Sequence, residues 1–260
     1  MIDAKGRFII DNYGRKPAFA SFLPGISGIS GIPLWCYYVN RGQCISCFGS
    51  EDKDHSIMEF VPAHQAYLHT GRMGYRTFLK VNGAFYEALA DTDRQQTMCI
   101  DQNVLRIEEK AQDKGIVTRV TYYTLPEEKL GALVRKVELQ NITNQPVEVE
   151  YLDGAPAIVP YGVNQDSMKN MTQTAKAWMQ VEDVCAGRPY FRVRASMADS
   201  TQVVEIEGGN FSIAIGHDGS RLSPVVDAEA VFAYDTAYEH PHIFLEKGID
   251  GVLSSRQMTM

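Results

Sequence analysis

The sequence predicts an all-β protein, a large antiparallel β-sandwich with at most one or two short helices. Three observations carry this. Polar and apolar residues alternate with a period of two in several runs, most of them bounded by Gly, Asp, Asn or Pro. Helical periodicity over ten or more residues is hard to find. The chain's 260 residues suit one large sandwich or two small ones. No repeat, low-complexity tract or composition shift marks a linker, so a single domain over residues 1–260 is the simpler expectation.

Taken in order, residues 32–48 (IPLWCYYVNRGQCISCF) read as an aromatic, β-branched strand that breaks at Asn40, Arg41, Gly42 and Gln43 and then resumes. A Gly- and Ser-rich lead-in precedes it at 24–31, and a charged turn follows at 51–55. Residues 117–123 alternate again. Residues 136–140 (KVELQ) and 147–151 (VEVEY), separated by turn chemistry at 141–146, read as a hairpin with one wet face. The best helix candidate, 170–184, is interrupted by Thr172, Thr174 and a β-favouring stretch at 178–181. Further strands are expected at 190–195, 203–207 and 211–215.

Composition narrows the function. With 45% hydrophobic and 22% charged residues the chain is that of an ordinary globular protein, and its net charge of -7 argues against nucleic-acid or anionic-membrane partners. No apolar stretch reaches membrane-spanning length, and the N-terminus carries charge where a signal peptide has its apolar core, so the expected location is cytoplasmic. Five cysteines, an odd number without an export signal, fit reduced thiols.

Few motifs point to chemistry. Cys44 and Cys47 have CxxC spacing but lack the following helix of a redox motif and the second ligand pair of a zinc site, so half-buried thiols on opposite strand faces are the preferred reading. The six histidines match no metal-ligand pattern, and neither a metal nor a cofactor is expected. No nucleophile elbow, phosphate loop or dinucleotide fingerprint occurs, so no catalytic residue is assigned. Asp153 ends a strand at a loop dense in Gly, Pro and Tyr that includes Tyr161; its plainer role is an Asx turn before Gly154. The aromatic-rich N-terminal third suits sugar rings, with their mixed C–H and O–H surfaces.

The string at residues 7–67, beginning RFIIDNYGRKPAF and ending VPAHQAY, with GYRTFLK and YLDGAPAIVPYGVN further on, resembles the N-terminal domain of family 94 glycoside phosphorylases. It is more similar to the β-1,2-oligoglucan phosphorylase branch than to cellobiose phosphorylase. The resemblance implies a galactose-mutarotase-like supersandwich preceding an (α/α)6 catalytic barrel. It also implies inverting phosphorolysis, in which a barrel aspartic acid protonates the glycosidic oxygen while phosphate attacks the anomeric carbon. Residues 1–260 contain no helical repeats, so that acid is expected to have no counterpart here and the isolated chain to be non-catalytic. The resemblance assigns a sugar- or barrel-facing role to Asn40, Arg41, Gly42 and Gln43; Asp153 and Tyr161 join them as carbohydrate-binding candidates from their loop setting. The partners implied are a β-linked gluco-oligosaccharide and either a catalytic barrel or a second copy of the chain. Two alternatives stand beside this module: a self-sufficient carbohydrate-binding protein, and a mutarotase-like sugar epimerase using a His and a carboxylate.

Overall fold

The structure is a computed structural model that describes residues 1–171, 177–197, 200–247 and 249. Antiparallel strands dominate it, as the alternation predicts, and form four sheets. The chain divides into two compact units, Met1–Glu51 with Val61–Ala155, and Asp52–Phe60 with Pro156–Met260.

In the first unit a five-stranded sheet has the order β1 (Phe8–Asp11), β8 (Gln95–Ile100), β9 (Leu105–Ala111), β10 (Ile116–Thr124), β11 (Leu133–Asn141). A smaller sheet has the order β12 (Val149–Gly154), β6 (Arg76–Val81), β7 (Ala84–Ala88). The hairpin β6–β7 turns on Asn82 and Gly83, both at positive φ (50° and 79°), as a two-residue hairpin of matching twist requires. Met98, Ile107 and Val120 sit opposite one another on one face of the large sheet and are fully buried. Leu79, Val81, Tyr86 and Ala88 of the small sheet pack in one cluster with Ala111 and Ile116 of the large one. Two sheets thus share one core, the sandwich arrangement. The outer face of the large sheet is wet and charged, with Arg119 paired to Glu108 and Lys136 to Glu138.

A further group of strands, β2 (Ala20–Leu23), β3 (Leu34–Val39) and β4 (Ile45–Ser50), pairs in that order, with a bulge between Tyr37 and Tyr38. Helix α1 (Ala63–Met73) contacts β3 and β4. The sequence does not announce this helix, because only Ala66 and Thr70 are buried and so narrow a stripe leaves no apolar period. Pro62 sits at its N-cap, outside the hydrogen-bonded ladder, where its missing N–H costs nothing.

The expected hairpin over 136–151 is not formed. Its first half belongs to β11, which pairs with β10, and its second half to β12, which pairs with β6. Asn141 closes a local turn by accepting from the Thr143 N–H, and Pro146 brings no N–H, so the ladder ends and the chain crosses to the other sheet.

In the second unit β5 (Ser56–Met58) and α2 (Gln165–Asn170) accompany a small sheet of order β13 (Met179–Glu182), β14 (Tyr190–Val193), β15 (Asn210–Phe211). Two short helices follow, α3 (Glu229–Phe232) and α4 (His242–Glu246). Val159, Val163, Met168, Met179 and Val193 form one of its cores. Within the helix candidate over 170–184, Asn170 ends α2, Ala177 and Trp178 are helical and β13 follows at Met179, with residues 172–176 outside the described residues. Of the strands expected at 203–207 and 211–215, only β15 and the bridges Ala195↔Glu205 and Ile215↔Arg221 form. No described helix is long and apolar enough to cross a membrane.

No cysteine is in a disulfide, and Cys44 and Cys47 are fully buried rather than half-buried, as is Cys36. Burial pushes the Cys36 and Cys44 thiols well up and Cys47 to about 11, and it raises the Tyr13, Tyr75 and Tyr122 phenols likewise. The unfolded chain ionises its thiols near 9.0 while the folded chain keeps them neutral. Their stabilisation is therefore complete below that pH and is lost as the pH rises through it. The urea midpoint is expected to fall between about pH 8 and about pH 10.5 with the slope of the transition unchanged.

Candidate functional site

The polar break between β3 and β4 is a tight turn. The Cys44 N–H donates to Arg41 O (2.9 Å), and Gly42 and Cys44 both take positive φ, 51° and 74°. Its side chains mostly face inward. Asn40 is 0% exposed: its amide N–H groups donate to Tyr13 O (2.9 Å) and Pro17 O (3.0 Å), and its Oδ1 accepts from the Phe19 N–H (3.0 Å). It ties the lead-in of β2 to the end of β3. Gly42 does permit a close backbone approach, but to helix α1: a Cβ built on it would lie 3.1 Å from Gly71 Cα and 3.3 Å from Thr70 O. Arg41, half-buried, donates to Asn40 O (2.7 Å) and Lys16 O (3.3 Å).

Gln43 and Asp153, far apart in sequence, meet in one network. Gln43 is buried and donates through Nε2 to Thr77 Oγ1 (3.0 Å) and Ala88 O (3.3 Å). Thr77 passes its own proton to Asp153 Oδ1 (2.6 Å). Arg135, whose side chain is 7% exposed, donates to Tyr122 Oη (3.2 Å), Thr77 Oγ1 (3.1 Å), Gln43 Oε1 and Asp153 Oδ2. Tyr122 closes the circuit by donating to Gln43 O (2.9 Å). The guanidinium also lies 5.0 Å from the Tyr75 ring centroid. Asp153 is within β12 and held by Arg135 and Thr77, so it closes no Asx turn.

Sequence reading missed Arg135, Thr77 and Tyr122. A signal was present: along 133–139 the inward positions are Leu133, Arg135, Val137 and Leu139, a charge in an otherwise apolar file.

Tyr161 lies in the second unit. It is tied to β14 through its backbone, which donates to Phe191 O (3.1 Å) and accepts from the Val193 N–H (3.0 Å). It lines a concavity of about 260 Å³ with Asp54, His55, Ser56, Asn164 and Asn210. His55 Nδ1 lies 2.8 Å from Asp52 Oδ1, which the imidazole holds below the usual carboxylate range with help from the Asp54 N–H. No described group of three or more His, Cys, Asp or Glu side chains is placed to hold a metal ion.

No protein-family model matches the chain, and no curated protein matches it significantly.

Two substitutions separate the structural roles. Asp153→Ala strands a buried cation and is expected to cost about 3–5 kcal/mol by urea unfolding, whereas Arg135→Met, which replaces the charge with an apolar chain, is expected to cost less. Gly42→Ala forces a left-handed alanine against α1 and is expected to cost about 1–3 kcal/mol.

Proposed function

We propose that the chain is a non-catalytic sandwich module of an inverting β-glucan phosphorylase, acting on cellobiose or β-1,2-oligoglucans, that docks a catalytic barrel and completes its carbohydrate site. The observation that carries this reading is an apolar strip in the second unit. Phe211, Ile213 and Ile215 alternate along extended chain and are 38%, 44% and 66% exposed, and Val203 nearby in sequence is 90% exposed. Large apolar side chains concentrated in one stretch mark a surface that another chain covers.

The sugar-facing part of the site belongs, in this reading, to Arg41 and Asp153. Arg41 is the member of the turn whose side chain is neither buried nor consumed by the core, and its planar fork suits vicinal hydroxyls or phosphate. Asp153 is fixed by Arg135 and Thr77 while its side chain keeps 23% of its surface exposed, a carboxylate held in place before any ligand arrives. Asn40 and Gln43 serve as supports beneath them.

The isolated chain is expected to release no glucose 1-phosphate from cellobiose or β-1,2-glucans in phosphate buffer; turnover would overturn the reading. Addition of a separately expressed catalytic barrel of this family is expected to restore turnover, and Ile213→Asp to weaken that restoration at least about tenfold. A self-sufficient binding protein would instead give calorimetric heat with β-linked glucose oligomers without any barrel, reduced by Arg41→Ala.

A further inference from the structure

We propose that the free edge of β11 is a docking surface for a second copy of the chain, the two β11 strands pairing antiparallel about a two-fold axis at Val137. The surface lies within the first unit and is independent of the phosphorylase reading.

β11 (Leu133–Asn141) is an outermost strand of the five-stranded sheet and pairs with β10 alone. The ladder shows which of its backbone groups are free. One step past either end, the Ile142 N–H donates to Gly115 O (2.9 Å) and the Leu125 N–H donates to Ala132 O (3.1 Å). Both bonds continue the register that sets Asn141 opposite Ile116 and Leu133 opposite Thr124, so the even-numbered residues of β11 are the ones bonded to β10. Leu133, Arg135, Val137, Leu139 and Asn141 therefore turn their N–H and C=O groups outward, and no described residue bonds to them. The opposite edge of the sheet is closed: on β1 the Ile9 N–H donates to Met1 O (2.7 Å) and the N-terminal ammonium to Ile9 O (2.9 Å). β11 has no proline, no glycine and no bulge in its pairing, and a long regular edge of this kind is a template for another strand.

The side chains select the strand that fits. A two-fold at Val137 sets Lys136 of each copy opposite Glu138 of the other. These two groups already pair within one chain (2.9 Å) and are 61% and 39% exposed on the outer face, so around the axis the four charges alternate in sign. An axis at Lys136 or at Glu138 would instead bring like charges face to face, which is destabilising. The axis at Val137 also pairs Arg135 with Leu139 and Leu133 with Asn141, residues whose backbone groups are free, so charge and hydrogen bonding agree on one register. Leu139, 37% exposed in the single chain, is covered by it on the inward face.

Sedimentation equilibrium tests this. A dimer with micromolar dissociation is expected, loosened at least about tenfold by Lys136→Glu alone or by Glu138→Lys alone, and recovered when the two variants are mixed, because each then carries one sign and meets the other. A monomer at every concentration, a dimer indifferent to both substitutions, or no recovery on mixing two folded variants would each overturn the proposal. Amide exchange on the wild-type chain decides the matter even if a variant fails to fold: the N–H groups of Arg135, Val137 and Leu139 are expected to gain protection as the chain is concentrated, and unchanged exchange there would overturn it. Failure here leaves the barrel-complementation result untouched, and the reverse.

Discussion

A single guanidinium, that of Arg135, sits where four strands and a turn converge, and the first unit is arranged around satisfying it. A buried cation costs several kcal/mol unless its donors are matched and a counter-charge is near. Here β11 supplies the charge, β12 the carboxylate, β6 a hydroxyl that relays between them, β10 a phenol, and the β3–β4 turn an amide. Each of these groups is fixed by the others, so the network sets the register of strands from three different sheets at once. The apolar packing around it tolerates exchanges of similar shape, whereas loss of the Asp153 counter-charge leaves the guanidinium unpaired.

This constraint explains what the polar break at Asn40 to Gln43 is. Read along the chain, two amides, an arginine and a glycine between strands look like groups presented outward. Folded, Asn40 replaces a missing ladder by binding the Tyr13–Phe19 segment, Gly42 lets the turn sit on α1, and Gln43 bonds in the interior through both ends of its amide. Turns need polar groups to pay for their unpaired backbone, and a turn that is covered by a helix uses them on itself.

The all-β architecture was legible because alternation is a local property, and strands β10, β11, β12 and β14 fall where the pattern puts them. Pairing was not, because it depends on which strand lies beside which: the alternating runs on either side of residues 141–146 part into different sheets. Helix α1 was hidden by its narrow buried stripe, and the strands expected at 203–207 and 211–215 remain mostly unpaired although their residues favour extended chain. For the site, Asp153 and Gln43 were found by their loop and turn setting, while Arg135 was lost by starting the alternating run one residue late. Glu109 repeats the lesson: it occupies an inward position between Ile107 and Ala111, is 0% exposed, and accepts there from the Tyr86 hydroxyl and the Gln96 amide. Charges that fall in register with apolar neighbours are the ones to look for.

The three buried thiols around the β3–β4 turn have a use of their own. Cys185 is exposed, whereas Cys36, Cys44 and Cys47 are sealed within the first unit, so a thiol reagent meets them only when that unit opens. Their labelling rate is a clock for opening events that no optical probe of the whole chain would separate, reporting the first unit without the second.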